Sequence, residues 1–289
     1  MLKNIIFLLI ISITISCSSY RFSQPEYGVN NGDNKEIKLK KVYNLRDLGG
    51  IENQDNKKLK TGKIYRSSNL EKLKSSSFKD LEKLGIKQVI DLRTLQEIED
   101  KPDHLPSDVE YTNLRAFEDK GDQLTEARKL VLKGKVNAED AEKRMLDFYV
   151  EYVTEKPEVI KQIIHEILDA EQPVLFHCTA GKDRTGIVSA LLMKILNFDD
   201  ETIFQTYLQS NNQREKIIKK RLKLANNLHF LYPKMDIGVL EKLSWIERSY
   251  LQKSFDTIDE KYGSMDNYIR EVLGISDEAR RSYQAKYME

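Results

Sequence analysis

An excess of charge of either sign is missing from this chain: 47 Lys and Arg stand against 46 Asp and Glu over 289 residues. No global field is therefore expected to recruit nucleic acid or an anionic membrane, and no charge-based partner is predicted. Cysteine is nearly absent, Cys17 and Cys178 being the only two, which excludes a disulfide framework. Internal repeats and long low-complexity tracts are also missing. Apolar runs long enough to span a bilayer comfortably are lacking too: the stretch from Ile5 to Ile15 is too short. What remains is a chain with 40% apolar residues, enough for one substantial core. One domain with elaborations is expected rather than two.

The N terminus reads as a targeting segment. Lys3 supplies a positive region, the apolar stretch follows, and Ser16-Cys17-Ser18-Ser19 closes it with small residues around a cysteine. Residues 1–17 are expected to be a signal or lipoprotein segment, with Cys17 lipidated and the product exported and membrane-anchored. An ordinary cleaved signal or an uncleaved anchor is the alternative. Residues 18–40, rich in Ser, Asn, Gly and Lys, are expected to form a flexible tether, with the domain spanning 41–289. If Cys17 is lipidated or removed, Cys178 has no intramolecular partner. An unpaired cysteine in an exported protein suggests a reactive thiol, against the alternative of an inert, buried one.

Apolar runs with β-character occur at 63–65, 86–92, 109–114 and 173–176, and helical periodicity at 76–84, 126–133, 139–154 and 157–170. Pro157 suits a first helical turn, and Ile160, Ile163, Ile164, Ile167 and Leu168 form one apolar stripe. Strands alternating with helices predict an α/β fold: a central, mostly parallel sheet flanked by helices, with a helical C-terminal part after Thr185. The charged stretch 118–142 fits either a lid over the site or a solvated helical hairpin.

Chemistry concentrates at one junction. Val174 to His177 is a short strand, a helix begins at Thr185, and Cys178-Thr179-Ala180-Gly181-Lys182-Asp183-Arg184 lies between them. Such a loop aims backbone N–H groups at one point, an anion site reinforced by the helix dipole. A thiol at the loop's start is expected to have a lowered pKa, and Arg184 can grip two phosphate oxygens through its planar fork. Together these suit attack on phosphorus through a cysteinyl-phosphate, without a cofactor or metal. Gly181 lets the backbone turn close to the anion, Thr185 can hydrogen-bond the thiolate, and His177 orients the loop or merely packs.

His177 to Gly186, HCTAGKDRTG, resembles the signature of protein tyrosine phosphatases, and its Gly-Lys-Asp-Arg core that of bacterial tyrosine and lipid phosphatases. Asn44 to Gly50, Tyr65-Arg66-Ser67, Asp91-Leu92-Arg93 and Phe255 to Gly274 resemble further elements of that family, so the likeness covers 41–289. It implies the cysteine-phosphatase fold, loop contacts to substrate from Thr179, Ala180, Gly181, Lys182 and Thr185, and substrates from phosphoprotein to phosphoinositide. Lys182, expected at the rim, matches a lysine of lipid phosphatases. Thr179 departs from them, standing where a second lysine is common.

A leaving-group acid is needed. Asp183 ranks first, as the aspartate the family places in the loop. Asp91 ranks second, at the C-terminal end of a central strand. Asp119 is third, by analogy with acids carried on a loop. Asp183 could instead only pin Lys182, and Asp91 only Arg93. Arg93 is a candidate substrate contact, whereas Arg46 and Arg66 are expected to be buried salt-bridge partners. Two other classes stay open: a sulfurtransferase, and a phospho-ligand-binding module without activity.

Overall fold

Val174-Leu175-Phe176-His177 carries no carboxylate, lysine or arginine, and every residue of it is buried. It therefore takes the centre of the sheet, where both faces are covered. The computed structural model describes residues 20–29, 36–115, 117 and 123–289. Five strands, β1 (Arg46–Asp47), β2 (Ile64–Ser67), β3 (Gln88–Asp91), β4 (Glu110–Asn113) and β5 (Val174–His177), lie in the order β1-β2-β5-β3-β4. β1 runs antiparallel to β2, and the other pairs are parallel. Ser67 and Asp91 both pair with His177, and Asp91 with Asn113, so the four parallel strands end level. That common C-terminal edge is where an open parallel sheet presents a ligand crevice.

Side-chain alternation divides the core. Ile64, Ile90, Val174 and Phe176 enter the larger apolar cluster, while Tyr65, Val89 and Leu175 enter the smaller one on the other face. α1 (Phe78–Lys83) contributes Leu81 to the smaller cluster, and α2 (Leu95–Asp100) follows β3. α3 (Gln123–Leu132), α4 (Ala138–Thr154) and α5 (Pro157–Asp169) precede β5, and α6 (Arg184–Ile195) and α7 (Asp200–Asn227) follow it. α8 (Ile237–Ser244), α9 (Arg248–Tyr262), α10 (Met265–Asn267) and α11 (Asp277–Tyr287) complete the helical C-terminal part.

Local chemistry sets the helix boundaries. Thr94 with Glu97, and Asn137 with Asp140, form reciprocal capping boxes at α2 and α4. Pro157 opens α5, whose Ile160, Ile163, Ile164, Ile167 and Leu168 are wholly buried. Each such side chain contributes about 1.5–3 kcal/mol. Nearly every residue of α6 is buried, which pins the helix behind the loop that precedes it.

The tether expectation for residues 18–40 needs correction where residues are described. Tyr20 Oη donates to Glu241 Oε2 at 2.8 Å, and Gly28 N donates to Asn212 Oδ1 at 2.9 Å. A Cβ on Gly28 would meet the Gln205 carbonyl at 2.2 Å, so the segment is seated closely on α7. Ile37 N donates to the Leu45 carbonyl, and Leu39 is buried. The reason is that sparse apolar and aromatic residues found a docking surface that a compositional reading cannot see. Residues 1–19, with Cys17, lie outside the described residues, as does Asp119. Of the 118–142 stretch, α3 is followed by Gly134, whose hypothetical Cβ would lie 2.0 Å from the Lys234 carbonyl. Among the described residues no hydrogen bond joins α3 to the Cys178 loop. No described helix is long and apolar enough to cross a membrane.

Candidate active site

The loop from Cys178 to Asp183 springs from β5 and delivers Arg184 as the first residue of α6. Its closure depends on Gly181, which sits at φ 65°. A Cβ there would meet the Ser67 carbonyl oxygen at 2.2 Å, so only glycine fits. The Gly181 carbonyl is held from below by Asn44 Nδ2 at 2.6 Å and Arg66 Nη2 at 2.8 Å. Among the described residues none of the amides from Thr179 to Asp183 donates to another protein group. Five unspent donors leading into a helix N-terminus suit an anion cradle.

Cys178 is 2% exposed and unpaired. Burial alone would push its thiol pKa up, but Arg184 and the hydroxyl and amide of Thr185 outweigh it, so the pKa falls below its ordinary value. The Thr185 hydroxyl is buried without a hydrogen-bond partner of full geometry. That leaves it free to donate to a thiolate.

Arg184 is positioned by a residue that the sequence did not single out. Its Nη1 donates to Glu97 Oε2 at 2.6 Å and its Nη2 to Glu97 Oε1 at 2.7 Å, while Nη1 also reaches the Leu92 carbonyl at 3.2 Å. Thr179 Oγ1 donates to the same carboxylate. Burial works to raise the Glu97 pKa, but Arg184 and Thr179 hold it down at about 2. The Arg184 pKa rises correspondingly against its own desolvation. This bidentate pair leaves Nε without an acceptor among the described residues. The signal in the sequence was the Thr-x-x-Glu pattern at Thr94 to Glu97, which marks a helix start rather than a site.

The acid candidates separate. Asp183 Oδ1 accepts from Tyr149 Oη at 3.0 Å and Lys182 Nζ at 2.8 Å, while Oδ2 accepts no hydrogen bond among the described residues. Tyr149 Oη also lies 2.6 Å from Tyr207 Oη, and the Tyr207 ring packs against Gly186. Asp183 thus sits at the cradle with one oxygen available for a proton. Asp91 does not face the crevice as expected. It is wholly buried, with Arg93 Nε at 3.0 Å from each carboxylate oxygen, Arg93 Nη2 at 2.7 Å and Tyr111 Oη at 2.9 Å from Oδ2. Level strand ends place its backbone at the edge, but the ion pair turns its side chain away.

Arg93 is likewise no substrate contact. It is wholly buried and also donates to Asp103 Oδ2 at 2.7 Å and the Lys101 carbonyl at 2.7 Å. His177 joins this network: Nε2 is 3.1 Å from Asp103 Oδ2, though outside hydrogen-bond geometry, and Nδ1 is 3.8 Å from Asp91 Oδ1. Burial opposes its charge, but the two carboxylates raise its pKa. Asp91, Asp103 and His177 are grouped closely enough to suggest a metal site. The Arg93 guanidinium bridges both carboxylates, so the cation they would need is already in place. His177 is thus buried at the root of the loop, against Asp91 and Asp103.

Lys182 is not at the rim. It is 5% exposed, turned inward to Asp183, and its pKa is lowered by burial. Arg46 and Arg66 are wholly buried, as expected, but not as salt-bridge partners. Arg46 donates to Asn44 Oδ1, the Thr206 carbonyl and Ser210 Oγ, and Arg66 to Ser189 Oγ and Gly181 O. Burial pushes the Arg66 pKa down to about 10. Arg66 lies directly beneath the loop, against the Gly181 carbonyl, and Arg46 supports Asn44, which holds the same carbonyl.

The chain matches the tyrosine phosphatase family over residues 37–289. The triple specificity protein phosphatase PtpB of Mycobacterium tuberculosis is 30% identical over 237 residues, which are 71% of this chain and 83% of that protein. A tyrosine-protein phosphatase of Nostoc commune is 32% identical over 140 residues, 46% of this chain and 42% of its own. Among solved structures, TpbA of P. aeruginosa in complex with phosphotyrosine aligns at 13% identity with a TM-score of 0.28, covering 73% of this chain and 96% of that one. The sequence match takes in every strand of the sheet and the whole Cys178 loop, and on it this chain belongs to the tyrosine phosphatase family as a cysteine-dependent phosphatase.

Proposed function

We propose that the chain hydrolyses phosphate monoesters on proteins, phosphotyrosine foremost, with phosphoserine or phosphothreonine as further substrates. The observation that carries this reading is the buried thiol of Cys178 beneath five unspent loop amides, with Arg184 locked in place by Glu97.

The Cys178 thiolate attacks phosphorus, forming an S–P bond as the ester O–P bond breaks. Asp183 delivers a proton from Oδ2 to the departing oxygen. The loop amides of Thr179 to Asp183 and the Arg184 guanidinium take the charge on the equatorial oxygens. Water then attacks phosphorus and gives its proton to Asp183, and the S–P bond breaks with Thr185 donating to the thiolate. The phosphoinositide alternative rested on a rim lysine, and it loses that support with Lys182 turned inward to Asp183.

The reading is tested by phosphate release from phosphotyrosine, phosphoserine and phosphoinositide substrates in the presence of a chelator. Release from the phosphotyrosine peptide that disappears in Cys178→Ser is expected. Thiosulfate-dependent sulfuration of cyanide without phosphate release would instead assign a sulfurtransferase.

The proposal extends to location: an exported protein held at a membrane by a lipid on Cys17, supported by Lys3, the apolar stretch after it and Ser16-Cys17-Ser18-Ser19. Mass spectrometry of the N-terminal peptide checks it, and an unmodified Cys17 in the mature protein refutes it.

A further inference from the structure

The positive charge missing from the chain as a whole is concentrated on one stretch of α7. From Arg214 to Lys223 it carries six basic residues and one acid, Glu215, whose carboxylate is taken by Lys219 and Tyr27. Arg214 stands out. It is 7% exposed, yet its one acceptor among the described residues is the Ser244 carbonyl at 3.2 Å. Among the described residues no carboxylate lies within ion-pair distance of it. Arg214 shares a cavity wall with Thr179 and Ala180 of the catalytic loop and with Arg221, and burial and Arg221 lower its pKa while Asp183 and Cys178 act the other way. A guanidinium so buried and so poorly partnered is costly unless an anion completes it.

Arg214 opens on a cavity of about 120 Å³ whose wall includes Thr179 and Ala180 of the loop, Arg221, Lys41 and Lys72, with Glu71 its one carboxylate. Cys178 is not on this wall, so the cavity shares Thr179 and Ala180 with the cradle but does not include the thiol. Sites for drug-sized ligands run to about 300–1,000 Å³. This one suits a single small anion. Resting on the phosphatase reading above, we propose that the cavity is a second anion subsite, which takes another phosphate of the substrate whose scissile phosphate lies on Cys178. Doubly phosphorylated substrates are then favoured over singly phosphorylated ones. A lipid surface fits less well. The apolar side chains it would need, Leu224 near the end of α7 and Leu228 just after it, are exposed and do not line the cavity.

Two substrate pairs test this on the full chain: a phosphotyrosine peptide with and without a second phosphorylated side chain nearby, and a cyclitol monophosphate with its vicinal bisphosphate. At least one doubly phosphorylated member is expected to show a kcat/KM about tenfold higher, from one added guanidinium–phosphate contact. Whichever pair shows it identifies a protein or a small-molecule source. The ratio should fall to about one in Arg214→Met and in the exposed Arg221→Gln, the second covering a failure of the buried variant to fold. A wild-type ratio of one, or a preference surviving Arg221→Gln, overturns the proposal and leaves the phosphatase reading intact. Should no substrate turn over, that reading fails, and titration of Cys178→Ser protein decides: tighter binding of the doubly phosphorylated member upholds the subsite, equal binding removes it. Loss of phosphatidylglycerol-vesicle binding in Arg221→Gln without any second-phosphate preference overturns it in favour of a lipid surface.

Discussion

Replacing Glu97 by Gln tests the arginine clamp without removing any group proposed to touch the substrate. The variant keeps the size of the side chain but loses its charge, so Arg184 retains at best one hydrogen bond where it now has a charged fork. The fall of the Glu97 pKa from 4.5 to about 2 corresponds to about 3 kcal/mol of folding stability at neutral pH. Solvent reaches the pair, with Glu97 24% and Arg184 13% exposed at the side chain, so about 1.5–3 kcal/mol is the realistic loss. In a chain of this size that lowers Tm by about 4–8 °C. The pH dependence has a definite sign. A carboxylate whose pKa is depressed by folding stabilises above its unfolded value, 4.5, and loses that contribution as pH falls through about 2. The gap between wild type and variant should therefore be full at neutral pH and close below 4.5. Activity should fall through kcat by about 10- to 100-fold, because a misaligned guanidinium meets the flattening phosphate poorly. Differential scanning calorimetry from pH 7 to 3, with phosphate-release kinetics at pH 7, reads both effects. An unchanged kcat with an unchanged Tm would refute the clamp, and an equal loss at pH 7 and pH 3 would refute its electrostatic origin.

Iodoacetamide should alkylate Cys178 at pH 7 faster than a free thiol of ordinary pKa, and Arg184→Met should slow it by moving the pKa back up; equal rates in both proteins would remove Arg184 as the cause. Gly181→Ala forces a Cβ into the Ser67 carbonyl from a positive φ, so a loss of about 2–4 kcal/mol in urea unfolding, with nearly all activity gone, is expected. Asp183→Asn should lower kcat by about 10²–10³-fold on alkyl phosphates, and far less on aryl phosphates whose leaving group needs no proton. Asp91→Asn should instead lower stability, with no dependence on the leaving group, because its carboxylate is spent on Arg93 and Tyr111; a leaving-group effect there would restore it as the acid. Inorganic phosphate at about 100 times its dissociation constant should stabilise the fold by about 2.7 kcal/mol, read as a rise in Tm.

The part of this architecture legible in the sequence is the part encoded by contiguous residues. β5, the loop and α6 are neighbours in the chain, so seven letters from Cys178 to Arg184 announce both the turn and its chemistry. The α5 stripe is equally local, and all five of its residues are buried. What sequence could not supply is which distant carboxylate meets which cation. Glu97 lies 87 positions from Arg184 and looks like an ordinary capping residue. Asp91 and Asp183 differ only in what surrounds them: one meets Arg93, and the other has an oxygen free. Lys182 shows the same limit, since a lysine in a polar loop reads as exposed until Asp183 is seen to hold it inward.

Net charge misleads for a related reason. A chain of formal charge +1 leaves Arg66 buried beneath the loop, Arg46 buried behind Asn44 and Arg214 near the loop, with no described carboxylate at ion-pair distance from any of them. Neutrality is reached elsewhere, through solvent-exposed pairs such as Lys83 with Asp80 and Lys129 with Glu126. Such pairs are each worth about 0–1 kcal/mol. A fold optimised for stability alone would place its carboxylates where desolvated cations need them. Arg93 has such partners in Asp91 and Asp103, and Lys182 in Asp183, but Arg46, Arg66 and Arg214 face only backbone carbonyls and uncharged side chains, and the Glu97 clamp orients Arg184 while leaving its Nε unpartnered among the described residues. The excess of positive charge around Cys178 is therefore built into the site by Arg66, Arg184 and Arg214, and a phosphate dianion is the group whose charge and oxygens match it.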